Sequence, residues 1–72
     1  MDIIQLETPF IKLDQLLKYA DVTENGTDAK FLITNGYVSY NGEVELRRGK
    51  KVYPGDKVRI VYEDADIELI VE

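Results

Sequence analysis

The chain has 72 residues, of which 14 are acidic and nine basic, and it contains neither cysteine nor histidine. A chain of this length forms one domain with a small core. The missing cysteines exclude disulfides and thiolate zinc sites, and the missing histidines remove the commonest general base and metal ligand. No segment approaches the roughly 18 apolar residues of a membrane-spanning helix, and the N-terminus lacks the features of a signal peptide. We expect one domain, residues 1–72, which is either a complete protein, the interpretation that we favour, or an excised domain. A chain without cysteine fits a reducing compartment, so we expect it to be cytoplasmic, and we expect no cofactor or metal.

Residues that support catalysis are scarce. The only serine, Ser39, lies in a predicted strand and has no histidine to activate it. The acidic segment 63–66 is the one candidate for a hard cation, but a calcium site requires six or more oxygen ligands in a defined geometry. A solvated turn is the favoured interpretation of that segment. The sequence thus predicts a protein that is not an enzyme.

The N-terminal half predicts a short strand and two helices. Residues 2–7 alternate weakly and fit an edge strand. Helical periodicity begins near Lys12, although Thr8 and Pro9 offer an alternative, earlier helix start. The apolar stripe of the first helix consists of Leu13, Leu16, Leu17 and Ala20. The stripe of the second consists of Ala29, Leu32 and Ile33. Asn25 or Thr27 can cap this second helix, and Asn35 and Gly36 should end it.

The C-terminal half changes to the alternation of strands after Gly36. Asn41-Gly42 predicts a hairpin, with Val44 and Leu46 on the return strand. A Pro-Gly-Asp turn at 54–56 precedes a strand at 57–62, a polar turn at 63–66 and a last strand from 67. The predicted fold is α+β, with two short helices packed on a small, mostly antiparallel sheet of about four to five strands.

The aromatic residues allow two interpretations. Phe31 and Tyr37 lie off the predicted inward faces, where they either stack on a base or cover the small core. The second interpretation is favoured in a domain of this size. The remaining tyrosines that we expect in the core or at its edge are Tyr19, Tyr40, Tyr53 and Tyr62.

Positive charge is concentrated in one part of the chain. Residues 46–60 contain six basic residues and one acidic residue, whereas residues 63–72 contain five acidic and no basic residues. Four of the five residues 47–51 are cationic, and the fifth is Gly49. Such a run is usually a solvated loop. Here it lies between a hairpin and a rigid Pro-Gly turn, and arginine matches phosphate geometry, so this position favours a site for an anionic ligand.

The chain resembles the RNA-binding domain named after ribosomal protein S-four, also called the αL motif. Lys12-Leu13-Asp14 is similar to the opening of the family's first helix. Residues 36–42 resemble its Gly-x-Val-x-Val-Asn-Gly pattern, and residues 54–56 its Pro-Gly-Asp turn. The segments 17–22 and 47–51 are similar to the free-standing YaaA-like members of Gram-positive bacteria.

The resemblance implies a non-catalytic protein that binds structured RNA, chiefly ribosomal RNA, in ribosome assembly or translation. The residues that it implies to face RNA are Lys12, Asn25, Gly26, Thr27, Lys30, Arg47, Arg48, Lys50 and Lys51. One departure matters, because the family carries arginine near the start of the second helix, where this chain has Gly26 and Thr27. The loop at 47–51 is then expected to supply more of the affinity.

Two alternatives remain at this point. A protein-interaction module would dock a basic partner, such as a ribosomal protein, through the acidic C-terminal strand. A sulfur carrier of the β-grasp type would need a C-terminal Gly-Gly, whereas this chain ends in Ile70-Val71-Glu72. We expect a monomer with RNA as its main partner and no membrane association.

Overall fold

A computed structural model describes residues 2–72 of the chain. The first half contains strands β1 (Asp2–Ile4) and β2 (Ile11–Lys12), followed by helices α1 (Leu13–Tyr19) and α2 (Gly26–Thr34). The second half contains strands β3 (Val38–Tyr40), β4 (Glu43–Val44), β5 (Lys51–Val52), β6 (Lys57–Tyr62) and β7 (Ala65–Val71). The α+β class and the later start of the first helix are confirmed.

The strands form two sheets. The larger sheet has the order β1-β7-β6-β3-β4, and all of its pairs are antiparallel except β1 with β7. The smaller sheet joins β2 and β5 in antiparallel register, with Ile11 opposite Val52 and Lys12 opposite Lys51. The predicted edge strand at the N-terminus is β1, and it is the parallel one.

One face of the larger sheet and one face of each helix enclose the core. Alternating residues of β6 and β7 point inward, because successive side chains of a strand lie on opposite faces. The fully buried members of the core include Leu13, Leu16, Leu17, Ala29, Ile33, Val38, Val52, Val58, Leu69 and Val71. The predicted helical stripes and strand faces therefore supply this core.

Local chemistry fixes the ends of α2. The side-chain oxygen of Asn25 accepts a hydrogen bond from the backbone N–H of Asp28 at 2.9 Å, which makes Asn25 the N-cap. Gly36 follows the helix with φ of +85°, a conformation that glycine adopts without the steric cost of a Cβ. The helix is thus bounded where the sequence predicts.

The end of the chain departs from prediction. The polar turn comprises only Glu63 and Asp64, because Glu63 adopts a φ of +52° and closes a tight turn between paired Tyr62 and Ala65. Asp66 therefore lies within β7. The strand is also not an edge, since it pairs with β1 on one side and β6 on the other. Its backbone is already engaged on both sides, so a partner would have to dock on the acidic side chains of this strand, and that alternative stays a prediction.

Three side chains also differ from expectation. Tyr19 and Tyr53 are 59% and 45% exposed, so neither belongs to the core. Tyr53 follows buried Val52 and points to the opposite face. Leu46 lies outside β4, because the chain turns there toward the start of α1 after a last hydrogen bond from Glu45 N–H to Val38 O.

Candidate nucleic-acid interface

The basic segment, residues 47–51, is held against the start of α1. The N–H of Leu13 donates to the carbonyl oxygen of Lys50 at 2.8 Å, and that of Asp14 donates to Arg48 at 3.1 Å. The first N–H groups of a helix have no partner within the helix, so these carbonyls satisfy two of them. The loop is consequently fixed by backbone hydrogen bonds, and these do not engage its cationic side chains.

Lys12 joins the basic segment in space. It lies opposite Lys51 in the small sheet, and both side chains are exposed. Residues paired directly across two strands have Cβ atoms roughly 5 Å apart. The two side chains start from neighbouring points of one surface, so an anion bound there is attracted by both positive charges. The structure thereby unites five of the nine predicted residues, namely Lys12, Arg47, Arg48, Lys50 and Lys51.

Two lysines of the basic segment form cation–π contacts with aromatic rings. The Lys51 ammonium lies 4.8 Å from the centroid of the Phe10 ring, and the Lys50 ammonium lies 4.8 Å from that of Tyr40. The Phe10 and Tyr53 rings are tilted against each other at 5.9 Å. An open concavity of about 520 Å³ is lined by Arg47, Gly49, Lys50, Lys51 and Tyr53. It presents an exposed aromatic ring among positive charges.

The Asp56 carboxylate accepts hydrogen bonds from three residues next to the basic segment. The donors are the Tyr40 hydroxyl at 2.6 Å, the Tyr53 N–H at 2.8 Å and the Asn41 amide at 3.1 Å. Burial raises the pKa of Asp56, but these hydrogen bonds and the charge of Lys50 outweigh it, so the pKa is lowered from 3.8. The hydrogen bond to Asp56, aided by burial, raises the pKa of Tyr40 to about 12. The Asp56 carboxylate therefore positions both tyrosines near the basic segment.

Glu45 reduces the charge that the basic segment presents. The Arg47 guanidinium donates to both Glu45 oxygens, at 2.9 and 3.2 Å, and the Arg47 backbone N–H donates at 3.1 Å. The hydrogen bond from Arg47 lowers the pKa of Glu45, whose side chain is largely covered. Arg47 is thus paired within the molecule. Among residues 2–72, neither Arg48 nor the lysines of the segment form such a pair.

The α2 residues form a separate group. Asn25 caps the helix, Gly26 begins it, and Thr27 and Lys30 have exposed side chains. Within residues 2–72, no hydrogen bond or ion pair links the four to the basic segment. Their acidic neighbours in sequence, Glu24 and Asp28, further reduce the positive charge at this end of α2.

Sequence reasoning missed three contributors to the surface. Phe10 received no role, Tyr53 was expected in the core, and Glu45 was not recognised as the partner of Arg47. No signal in the sequence indicated the exposure of Tyr53, because it follows β5, a strand of only two residues that is too short to show a period. The spacing of Glu45 and Arg47 gave no indication either, since an ion pair between residues i and i+2 depends on the local bend of the chain.

Comparison with known proteins identifies the family. A family model described as the S4 domain matches residues 4–69. This chain belongs to the S4 domain family. The S4 domain of this chain is 44% identical over 57 residues to the probable ribosome maturation protein RlbA of Bacillus subtilis (strain 168), covering 79% of this chain and 80% of RlbA.

A solved structure has the same fold as this S4 domain. YbcJ from E. coli, whose solution structure is described as revealing an αL motif involved in RNA-binding, superposes with a TM-score of 0.64. The two chains are 28% identical, and the match covers 97% of this chain and 87% of YbcJ. In the part that the structure describes, no helix has the length and apolar character needed to cross a membrane. Likewise, residues 2–72 contain no cluster of three or more acidic side chains suited to a metal ion.

Proposed function

We propose that this S4 domain is a small, non-catalytic RNA-binding protein that recognises structured ribosomal RNA during ribosome assembly. The observation that carries the proposal is the fixing of the basic segment and Lys12 at one surface by the backbone of α1 and the small sheet. Two descriptions of similar proteins support it: RlbA is a probable ribosome maturation protein, and YbcJ contains an αL motif involved in RNA-binding. The protein acts as a cytoplasmic monomer in this proposal.

The cations, rather than the end of α1, contact phosphate. Helix N-termini bind anions through free N–H groups. In α1 the N–H groups of Leu13 and Asp14 are already occupied by loop carbonyls. Phosphate therefore meets the side chains of Lys12, Arg48, Lys50 and Lys51, with Arg47 available once it leaves Glu45.

Shape and stacking provide selectivity for RNA. Phosphate contacts position a protein on a nucleic acid but carry no sequence information. Proteins recognise folded RNA by its A-form shape, its 2′-hydroxyls and unpaired bases that stack on aromatic rings. The exposed Tyr53 ring lies among the cations and offers such a stacking surface. This arrangement favours a helix end or a bulge over a regular duplex.

A pair of matched double variants tests the proposal. Arg48→Gln with Lys51→Gln removes two charges from the proposed surface, whereas Lys18→Gln with Lys57→Gln removes two exposed charges elsewhere. Fluorescence anisotropy with ribosomal and transfer RNA fragments would be followed between roughly 50 and 200 mM salt. If about four phosphates are contacted, wild-type affinity falls roughly 100-fold over that range.

The expected difference lies in the salt dependence. Removing two contacts should reduce the slope of log affinity against log salt by about 1.5. The Lys18 and Lys57 control should retain the wild-type slope. Equal losses in both variants would show general charge attraction instead of a site. Absence of wild-type binding even at low salt would contradict the proposed function.

A further inference from the structure

A second surface lies beside α2 and shares no lining residue with the concavity at the basic segment. It is an open groove of about 440 Å³ between α2 and the end of β6. Its polar and aromatic lining consists of Thr23, Glu24, Asp28, Phe31 and Tyr62. We call it the acidic groove. No basic residue contributes to its lining within residues 2–72.

The aromatic wall of the groove is well supported. The ring of Tyr62 packs edge-on against Phe31 at 5.9 Å and against Tyr37 at 4.7 Å. Phe31 is nevertheless 46% exposed. An aromatic face held by neighbouring rings and open to solvent can accept a cation, because its π-electrons carry negative charge.

Carboxylates surround this wall. Glu24 and Asp28 are exposed, and neither forms an ion pair within the described residues. A third carboxylate, that of Glu63, lies near the Tyr62 hydroxyl and, after burial, is a cause of the raised pKa of Tyr62. The start of α2 carries only about half a positive charge from its dipole. The two carboxylates of the lining exceed it, so the groove attracts cations.

Thr23 adds a hydrogen-bonding group without a partner. The residue lines the groove, is only 9% exposed, and its Oγ1 makes no hydrogen bond within residues 2–72. A buried hydroxyl without a partner is costly. A different staggered χ1 rotamer would move Oγ1 to another position on Cβ, from which it can face the groove that Thr23 lines. Within residues 2–72 this hydroxyl has no hydrogen-bond partner, so a donor brought into the groove by a ligand can supply one.

We propose that the acidic groove binds an arginine side chain presented by a basic segment of a protein partner. The planar guanidinium stacks on Phe31, and its several N–H groups donate to Glu24, Asp28 and the Thr23 hydroxyl. Lysine fits less well, because its ammonium is a compact and strongly hydrated point charge. This inference is independent of the proposed RNA contact.

A protein partner suits the groove better than RNA does. The carboxylates that favour a guanidinium repel phosphate, and no cation lines the described groove to offset them. The basic segment and the acidic groove therefore select ligands of opposite charge. The domain is in this way equipped to hold an RNA and a basic protein at the same time.

Peptide binding provides the test. A fluorescein-labelled octapeptide of alternating arginine and glycine is titrated with wild-type protein and with the Glu24→Gln, Asp28→Asn double variant. A matched control, Glu7→Gln with Glu43→Gln, removes two exposed acids elsewhere. We expect about tenfold weaker binding in the groove variant and less than about twofold in the control. A lysine peptide should bind several-fold more weakly than the arginine peptide.

Thr23→Val and Phe31→Leu separate a specific pocket from general charge attraction. Both keep the net charge, and both should weaken the arginine peptide several-fold while circular dichroism shows a folded protein. NMR signals of Tyr62 and Thr23 should shift on addition of the peptide. Equal weakening in the Glu7 and Glu43 control, no binding by wild type, or shifts of these signals by an RNA hairpin instead would overturn the proposal.

Discussion

Glu45 controls how much positive charge the basic segment presents, because it holds Arg47 in a bidentate ion pair. Glu45→Gln should release Arg47 and remove a nearby negative charge. We expect RNA affinity to rise several-fold at roughly 50 mM salt, and the salt slope to steepen by about 0.7 to 0.9 for the added phosphate contact. Fluorescence anisotropy across a salt series measures both quantities.

Glu43 offers the control for this change. It is exposed, lies in β4 and forms no ion pair among the described residues. Glu43→Gln should leave the slope unchanged. A weaker interaction in Glu45→Gln would mean that the pair orients Arg47 for binding, and would contradict the view that it withholds charge.

Single residues also show how far the sequence informs the site. The cationic identity of residues 47–51 is visible in the sequence, whereas the exposure of Tyr53 is not, because Tyr53 follows a strand of only two residues. Proximity is not visible. The small sheet that places Lys12 opposite Lys51 consists of two-residue strands. Such strands are too short to produce a periodic pattern, so only the folded chain reveals this contact.

A substitution at the start of helix α2 can test whether this helix also faces the RNA. Gly26 and Thr27 lie where the resemblance implies an arginine, and a Cβ at Gly26 would meet no atom within 4 Å beyond its chain neighbours and the backbone of its own helix. Gly26→Arg is therefore expected to fold, and arginine is also a better helix former than glycine. If α2 faces the RNA, affinity should rise and the salt slope should steepen by about 0.7 to 0.9.

Gly26→Ala is the matched change without charge. It should raise the melting temperature slightly, since alanine favours the helix, and leave RNA affinity unchanged. An arginine variant with wild-type affinity and slope would place α2 away from the RNA. The predicted contacts of Asn25, Thr27 and Lys30 would then be wrong, and the basic segment would act without α2.

The turn that contains Asp56 links the β3–β4 hairpin to the start of β6, and its charge stabilises the fold. In Asp56→Asn an NH₂ group replaces one carboxylate oxygen. This donor then faces the donor groups of Tyr40, Asn41 and Tyr53, which bind the carboxylate in the wild type. We expect a loss of about 2 kcal/mol in the free energy of unfolding at neutral pH, because hydrogen bonds to a charged group are strong. Urea unfolding of both proteins across a pH series measures it.

The pH dependence has a definite sign. The pKa of Asp56 is lowered in the folded protein, so its contribution is present above the unfolded value and is lost as the pH falls through the folded value. The difference between wild type and Asp56→Asn should shrink below pH 3.8. Asp64→Asn, an exposed turn substitution, should show little difference at any pH. A constant difference down to pH 2, roughly, would exclude the ionised carboxylate as its source.

The elements themselves were largely predictable, and the exceptions have physical reasons. Helix stripes, the asparagine cap of α2 and the Asn-Gly turn are local signals, and each appears where the sequence indicates. β7 lies inside the sheet because it pairs in parallel with β1, the first strand of the chain. The N–H of Glu72 donates a hydrogen bond to the carbonyl oxygen of Ile4 beside this pair. Pairing between the two ends of a chain leaves no local pattern.

Across the whole molecule, charge is segregated rather than balanced. The net charge is −5, yet the basic segment lies near one end of β6 and the Glu63–Asp64 turn at the other. The six residues of β6 span about 20 Å at roughly 3.3 Å each. That distance exceeds the Debye length of about 8 Å at physiological salt, so acids at the far turn are screened from RNA at the basic segment.

This separation predicts that local charge, and not net charge, sets RNA affinity. Glu63→Gln with Asp64→Asn removes two acids and brings the net charge from −5 to −3. We expect less than about a twofold change in RNA affinity at roughly 150 mM salt. Glu45→Gln removes only one acid and should have the larger effect, because its carboxylate lies within hydrogen-bond distance of Arg47. If the distant pair raised affinity as much as Glu45→Gln, the acidic chain would act as one averaged charge, and the basic segment would not be a separate site.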